Sequence, residues 1–264
     1  MKIKTITATW LHVPIPESRQ HRSDFGKAAS FDSTLIRIET DDGIVGYGES
    51  KAQVGSASKN FALCALIEQE LAPELIGEDA RDISRLWDLM YNGVRAKYAL
   101  ERGHVFPILG RRGITLSAIS GIDMALWDIK GQAAGVPVYE LLGGAVRKKI
   151  RVYATGAPFE GAGELAKELV DDGMIAMKMG PTISVATPSE GQYLAPKELD
   201  YVLKPFRDVR NAVGDKIKIA NDGHGKWSLP VAIQIAKAME PLDIMWQEDL
   251  MPLLNPNSLQ QLQD

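Results

Sequence analysis

The sequence predicts two parts of mixed class: an α+β half over residues 1–147 and a β/α half with parallel strands over residues 148–264. Three observations carry this expectation. An alternating segment rich in β-branched residues opens the chain and is followed by a hairpin pattern. Helix-periodic segments then run as far as Gly135, and after Gly143-Gly144 strand and helix patterns alternate.

Residues 3–14 alternate, with Ile3, Thr5, Ile6 and Thr7 supplying β-branched positions, and read as a strand. Residues 18–32 are polar and aperiodic and read as a flexible loop. Thr34–Thr40 and Ile44–Glu49 flank Asp41-Asp42-Gly43, where Asp-Gly favours the positive φ of a tight hairpin turn. Helical segments are expected near 57–75 and 80–98. The spacing over 115–134 predicts the best helix of this half, because Ile119, Ile122, Leu126, Ile129 and Ala133 form one apolar stripe. Gly135 and Pro137 stop it.

In the second half, strands are expected at 150–154, 174–178, 217–221 and 243–247, separated by helices at 161–172, 197–213 and 228–240. Gly173 and Gly214 end two of those helices, and Ser228 is an N-cap with Pro230 in the first turn. Another helix begins after Glu248-Asp249. Right-handed crossovers would make the strands parallel. An open doubly wound sheet and a closed barrel begin alike, so both remain open at this point.

Composition excludes several classes of function. The 264 residues are 45% hydrophobic and 24% charged, with a net charge of −4 and no long run of one sign. Neither nucleic acid nor a membrane surface is an expected partner. Cys64 is the only cysteine, which rules out an intrachain disulfide and points to a reducing cytoplasm. Its apolar surroundings, Phe61 to Ile67, predict a buried packing role. No signal-peptide pattern follows Met1, and no apolar stretch is long enough to span a bilayer.

Chemistry-bearing residues fall where the second-half strands end: Lys178, Asp222 with His224, and Glu248 with Asp249. Asp222 and Glu248 are 26 positions apart, one helix plus one strand, so their carboxylates would close adjacent strands on one rim. Converging carboxylates need a cation or a shared proton, and hard oxygen donors suit Mg²⁺. From spacing alone they read either as metal ligands or as solvated loop acids. Lys178 reads as a functional ammonium or as a snorkelling or salt-bridged lysine. His224 would share the side of Asp222 if strand geometry continued; otherwise it is a loop histidine.

Ala118-Ile119-Ser120-Gly121-Ile122-Asp123-Met124-Ala125-Leu126-Trp127-Asp128-Ile129-Lys130-Gly131-Gln132, with Gly135 through Gly144 after it, resembles the signature helix and linker of the mandelate racemase/muconate-lactonising family of the enolase superfamily. The Thr40–Glu49 hairpin is similar to that family's capping domain, and Asn221-Asp222 and Gln247-Glu248 stand where its first two metal ligands are expected. The resemblance implies an α+β capping domain followed by a (β/α) TIM-type barrel, of which about the first half, roughly four strands, is present. It also implies Mg²⁺-assisted removal of the proton α to a carboxylate, with the metal opposing the charge that develops.

Departures from the family pattern narrow that expectation. Many members carry Lys-x-Lys at the second barrel strand, but Lys178-Met179-Gly180 places glycine where the second lysine would act as base. Asp222-Gly223-His224 is instead similar to the Asp-x-His arrangement of sugar-acid dehydratases, in which the histidine protonates the departing hydroxyl. The implied reaction is dehydration of an aldonic or aldaric acid, with a racemase, epimerase or cycloisomerase, or a partial and non-catalytic chain, as the alternatives. Lys178 would bind the substrate carboxylate or a hydroxyl, and His21 and Arg22 would contact substrate from a capping-domain loop. The third acid would fall near position 274, and the base on the opposite face would also lie beyond Asp264. An open half-barrel should be unstable or should associate, and the complete protein is expected to be a homo-oligomer. The Thr182–Pro196 stretch would shape the barrel mouth or a subunit contact.

Overall fold

The computed structural model describes residues 1–20, 22–23, 26–52, 59–104, 111–180 and 193–263, with side chains left undescribed at 22, 23, 26 and 94–97. The chain divides into two compact units, Met1–Lys148 and Lys149–Asp264, each with its own apolar core.

In the first unit, strand β1 (Ile3–Pro14) leads into a short antiparallel ladder of β2 (Arg22–Ser23) and β3 (Gly26–Lys27). β4 (Ser30–Thr40) and β5 (Val45–Ser50) complete an antiparallel sheet of order β1-β4-β5. The turn between them has Gly43 at φ 86°, as its Asp-Gly sequence predicts. Residues 30–32, expected in the flexible loop, are strand instead: Asp32 pairs across the sheet with His12 and is buried. A polar residue tolerates that position only because donors surround it, and these come from Trp10, His12 and Ser30.

The expected helix at 57–75 is α1 (Phe61–Ala65), a π-helical stretch (Leu66–Leu71) and α2 (Ala72–Leu75). α3 (Ile83–Glu101) is interrupted at Gly93, and α4 (Ile114–Ala134) precedes the short α5 (Val138–Leu141). Ile119, Ile122, Leu126 and Ile129 of α4 are buried against the sheet, giving the expected stripe, whereas Ala133 is exposed one turn beyond the covered surface. Cys64 is half-buried rather than fully buried, and that burial pushes its thiol up, towards the inert protonated form.

The second unit runs β6 (Ala154–Thr155), α6 (Ala162–Asp171), β7 (Ala176–Met179), α7 (Pro196–Val213), β8 (Lys218–Asp222), α8 (Leu229–Met239), β9 (Ile244–Glu248) and α9 (Pro256–Gln263). Its strands form one parallel sheet in sequential order, β6-β7-β8-β9. Sequential parallel order is how a barrel is wound, whereas a doubly wound sheet reverses its order partway. Only the end of the expected 150–154 strand pairs; Ile150, Val152 and Tyr153 are exposed. Met177, Met179 and Ile219 turn towards the helices and join Val202, Phe206 and Ile235 in the core. The opposite face of the strands, bearing Lys178, Asp222 and Glu248, is therefore left for polar chemistry. Among the described residues, no helix is long and apolar enough to cross a membrane.

Candidate active site at the ends of the parallel strands

Strand register brings the predicted residues together. Lys178 lies level with Ala220, one pleat below Asp222 on the same face, and Asp222 pairs directly with Glu248. That last pairing depends on an irregularity. Ile219 pairs with Ile244, but Asn221 pairs with Gln247, so β9 carries one extra residue between these pairs. Without the bulge, Asp222 would face Gln247 and Glu248 would fall on the other side of the pleat. Just beneath, Asn221 donates from Nδ2 to Gln247 Oε1 at 2.7 Å, bracing the two strands.

The Lys178 ammonium sits between the two carboxylates. Its Nζ donates to Asp222 Oδ2 at 2.7 Å and to Glu248 Oε1 and Oε2 at 3.0 and 3.2 Å. The lysine and Asp222 side chains are only 15% and 13% exposed, so water screens this pair weakly. The hydrogen bond to Asp222 raises the lysine's pKa; burial opposes the rise, and Glu248 adds to it. While both carboxylates face it, Lys178 is held as an ammonium.

Each carboxylate also has a tether of its own. Trp246 Nε1 donates to Glu248 Oε2 at 3.0 Å, and the backbone N–H of His224 donates to Asp222 Oδ1 at 3.3 Å in an Asx-type turn. The Tyr153 ring packs edge-on against Trp246, with Lys178 Nζ 5.8 Å from the tyrosine ring centre. His224 reaches Asp222, Nε2 to Oδ2 3.5 Å, but not by the route its spacing suggested. The strand ends at Asp222, and His224 lies in a turn with φ 52° that folds its ring back.

Gly180 is a glycine for a steric reason. A Cβ there would lie 2.8 Å from the Asp222 carbonyl oxygen and 4.0 Å from His224 Cε1. Any side chain, a lysine included, would require the ends of β7 and β8 to part.

Four of the six sequence-predicted site residues, Lys178, Asp222, His224 and Glu248, gather in this cluster. Arg22 contributes its backbone to β2, opposite Lys27, while its side chain lies outside the described residues, as does His21 entirely. Residues 182–192 of the expected mouth insertion also lie outside them. Sequence reasoning missed Trp246, Tyr153 and the Asn221–Gln247 brace. Trp246 stands two residues before Glu248, a same-face spacing on a strand that would have flagged it.

The donor set fits a hard divalent cation. Asp222 and Glu248 already share one positive charge, and Mg²⁺ is characteristically held by one or two carboxylates while keeping several waters. Among the described residues, no three His, Cys, Asp or Glu side chains are placed to hold a metal ion together.

A sequential parallel β/α sheet with acids closing adjacent strands, preceded by an α+β unit, defines an enolase-superfamily architecture. Residues 5–143 match the mandelate racemase/muconate lactonizing enzyme N-terminal domain, and residues 161–264 match the enolase C-terminal domain-like model. The chain belongs to the mandelate racemase/muconate lactonizing enzyme family, with a capping domain and a barrel domain, four parallel strands of which lie among the described residues. It is 31% identical to a D-galactonate dehydratase family member from Pseudarthrobacter chlorophenolicus, over 89% of this chain and 60% of that protein. It is 36% identical to an arabinonate dehydratase from Saccharolobus solfataricus, over 80% of this chain and 50% of the relative. A racemase from Streptomyces coelicolor, solved with bound magnesium, superposes with a TM-score of 0.77 at 27% identity, covering 98% of this chain and 66% of that one. The chain thus spans about 60% of the length of the first of these relatives.

Proposed function

We propose that the protein takes part in the Mg²⁺-dependent dehydration of a sugar acid, an aldonate or aldarate, to a 2-keto-3-deoxy acid. The observation that carries this reading is the convergence of Asp222 and Glu248 on one cation, with His224 against Asp222 and no room for a lysine at position 180. The dehydratase names of its relatives support the same reaction class.

Asp222 and Glu248 would hold Mg²⁺ through oxygen donors, tethered by the His224 N–H and by Trp246. Bound there, the ion supplies positive charge opposite the second negative charge that a substrate carboxylate acquires when its α-proton leaves. Lys178 brings a further fixed positive charge to the substrate carboxylate or a hydroxyl. Glycine stands at 180, where the family's lysine base would be, so the acceptor of the α-proton is assigned outside these strand ends. His224 gives a proton to the departing 3-hydroxyl: the C3–O bond breaks, water leaves, and the enol tautomerises to the 2-keto acid. His21 and Arg22 are assigned to substrate hydroxyls or a distal carboxylate.

The test is His224→Ala in the full-length protein, assayed with Mg²⁺ against a panel of aldonic and aldaric acids. Keto-acid formation should fall by roughly 10²–10⁴-fold, the usual worth of a positioned acid. Unchanged turnover removes His224 from the mechanism. Exchange of the α-proton with solvent deuterium and no keto acid from any substrate, in the parent protein, would assign it to epimerisation instead.

A further inference from the structure

We propose that Lys178 is an exchangeable counter-cation, neutralising Asp222 and Glu248 while the site holds no metal and giving way when a divalent ion takes the same oxygens. This rests on the assignment of those two acids as metal ligands.

The ammonium has three N–H donors and makes three contacts, one to Asp222 and two to Glu248. The two oxygens of Glu248 face a single N–H, so two of the three donors hold the ammonium between the carboxylates, where an anionic ligand gains its charge only as a carboxylate gives it up. Two carboxylates that converge on one point repel each other, so another cation is favoured there as the lysine leaves. A divalent ion is the natural successor, because it meets both charges at once.

The surroundings suit such an exchange. Lysine carries a compact charge on a flexible four-carbon stem, which can swing without moving the backbone. Both acids keep a donor that is not Lys178, from the His224 backbone and from Trp246, so their orientation survives its departure. The face of Tyr153, 5.8 Å from Nζ, offers the released ammonium a favourable neighbour.

The exchange is tested by Mn²⁺ binding to the full-length protein at one fixed pH, read from the electron paramagnetic resonance signal of free Mn²⁺. Lys178→Met removes the competing cation and should tighten Mn²⁺ binding by about tenfold or more, the scale of one charge at this distance. Lys178→Arg keeps the charge and should stay within about threefold of the parent. Unchanged or weaker binding by a folded Lys178→Met overturns the proposal. Should Lys178→Met lack a cooperative melting transition without metal, Mn²⁺ must restore it, and failure to do so also overturns the proposal. The combined Asp222→Asn, Glu248→Gln variant separates the two ideas. If it binds Mn²⁺ like the parent, the ligand assignment itself fails; if it loses binding while Lys178→Met matches the parent, only the exchange fails.

Discussion

Two carboxylate environments in this molecule, one buried and one partly exposed, are built to opposite plans. In the first unit, Asp32 accepts from Trp10 Nε1 at 2.8 Å, His12 Nδ1 at 2.8 Å and Ser30 Oγ at 2.5 Å. An ionised carboxylate can only accept, so the imidazole carries its proton on Nδ1. Those donors sit on short or rigid side chains of two paired strands, and nothing need move to satisfy the charge. In the second unit, Asp222 and Glu248 share one long, flexible lysine, and two negative charges stand against one positive. The first arrangement is closed, with its charge matched in place. The second leaves a surplus of negative charge at the ends of parallel strands, the condition for taking up a cation. Burial of acids alone therefore does not mark a functional site; the mobility and number of their counter-charges do.

The contrast breaks most visibly in stability. Asp32→Ala strips three donors of their acceptor in a buried place and should cost about 2–4 kcal/mol, read from the urea midpoint. Asp222→Asn, measured without metal, should change stability by no more than about 1 kcal/mol, because Lys178 keeps Glu248 and a carboxylate repulsion is relieved. Equal losses at the two positions would show that both clusters are structural.

A smaller effect follows with pH. Burial by itself would push the Asp32 carboxyl up, but hydrogen bonds from Ser30, His12 and Trp10 together hold it below the ordinary value. A group depressed in the folded state stabilises above its unfolded pKa, and that contribution fades as pH falls through the folded value. The stability gap between the parent and Asp32→Asn should thus be full above about pH 4 and shrink on acidification below it. A gap that widens in acid would reverse the assigned sign.

These same two places show what the sequence made legible. The acids at 222 and 248 could be placed on one rim because a helix plus a strand fills the interval between them, and the apolar periodicity of each element was clear. Lys178 and Gly180 were legible as a departure within a known pattern. The β9 bulge left no trace in hydrophobic pattern or turn residues, yet it decides that Glu248, rather than Gln247, faces Asp222. Strand alternation puts His224 beside Asp222 only if β8 continues; the strand ends at Asp222, and a left-handed turn, the loop alternative, brings the two together. Asp32 was misread as part of a polar loop, since its donors Trp10 and His12 lie about twenty residues away and only pairing of the strands unites them. Local pattern reveals which elements form; partners brought in from a distance determine which polar residues are buried.

A local steric effect is expected at Gly180. Its backbone approaches β8 so closely that an added Cβ would sit 2.8 Å from the Asp222 carbonyl, a backbone atom that cannot rotate away. Gly180→Ala should therefore push the ends of β7 and β8 apart by a few tenths of an ångström, at a cost of about 1–2 kcal/mol in stability. The displaced atoms belong to a proposed metal ligand, so Mn²⁺ binding should weaken with it, while the Asp32 cluster, in the other unit, is untouched. If Gly180→Ala is neutral on both measures, the strand ends yield freely. The absence of a second lysine would then reflect the chemistry performed here rather than the space available, and Gly180→Lys becomes the variant to assay for α-proton exchange.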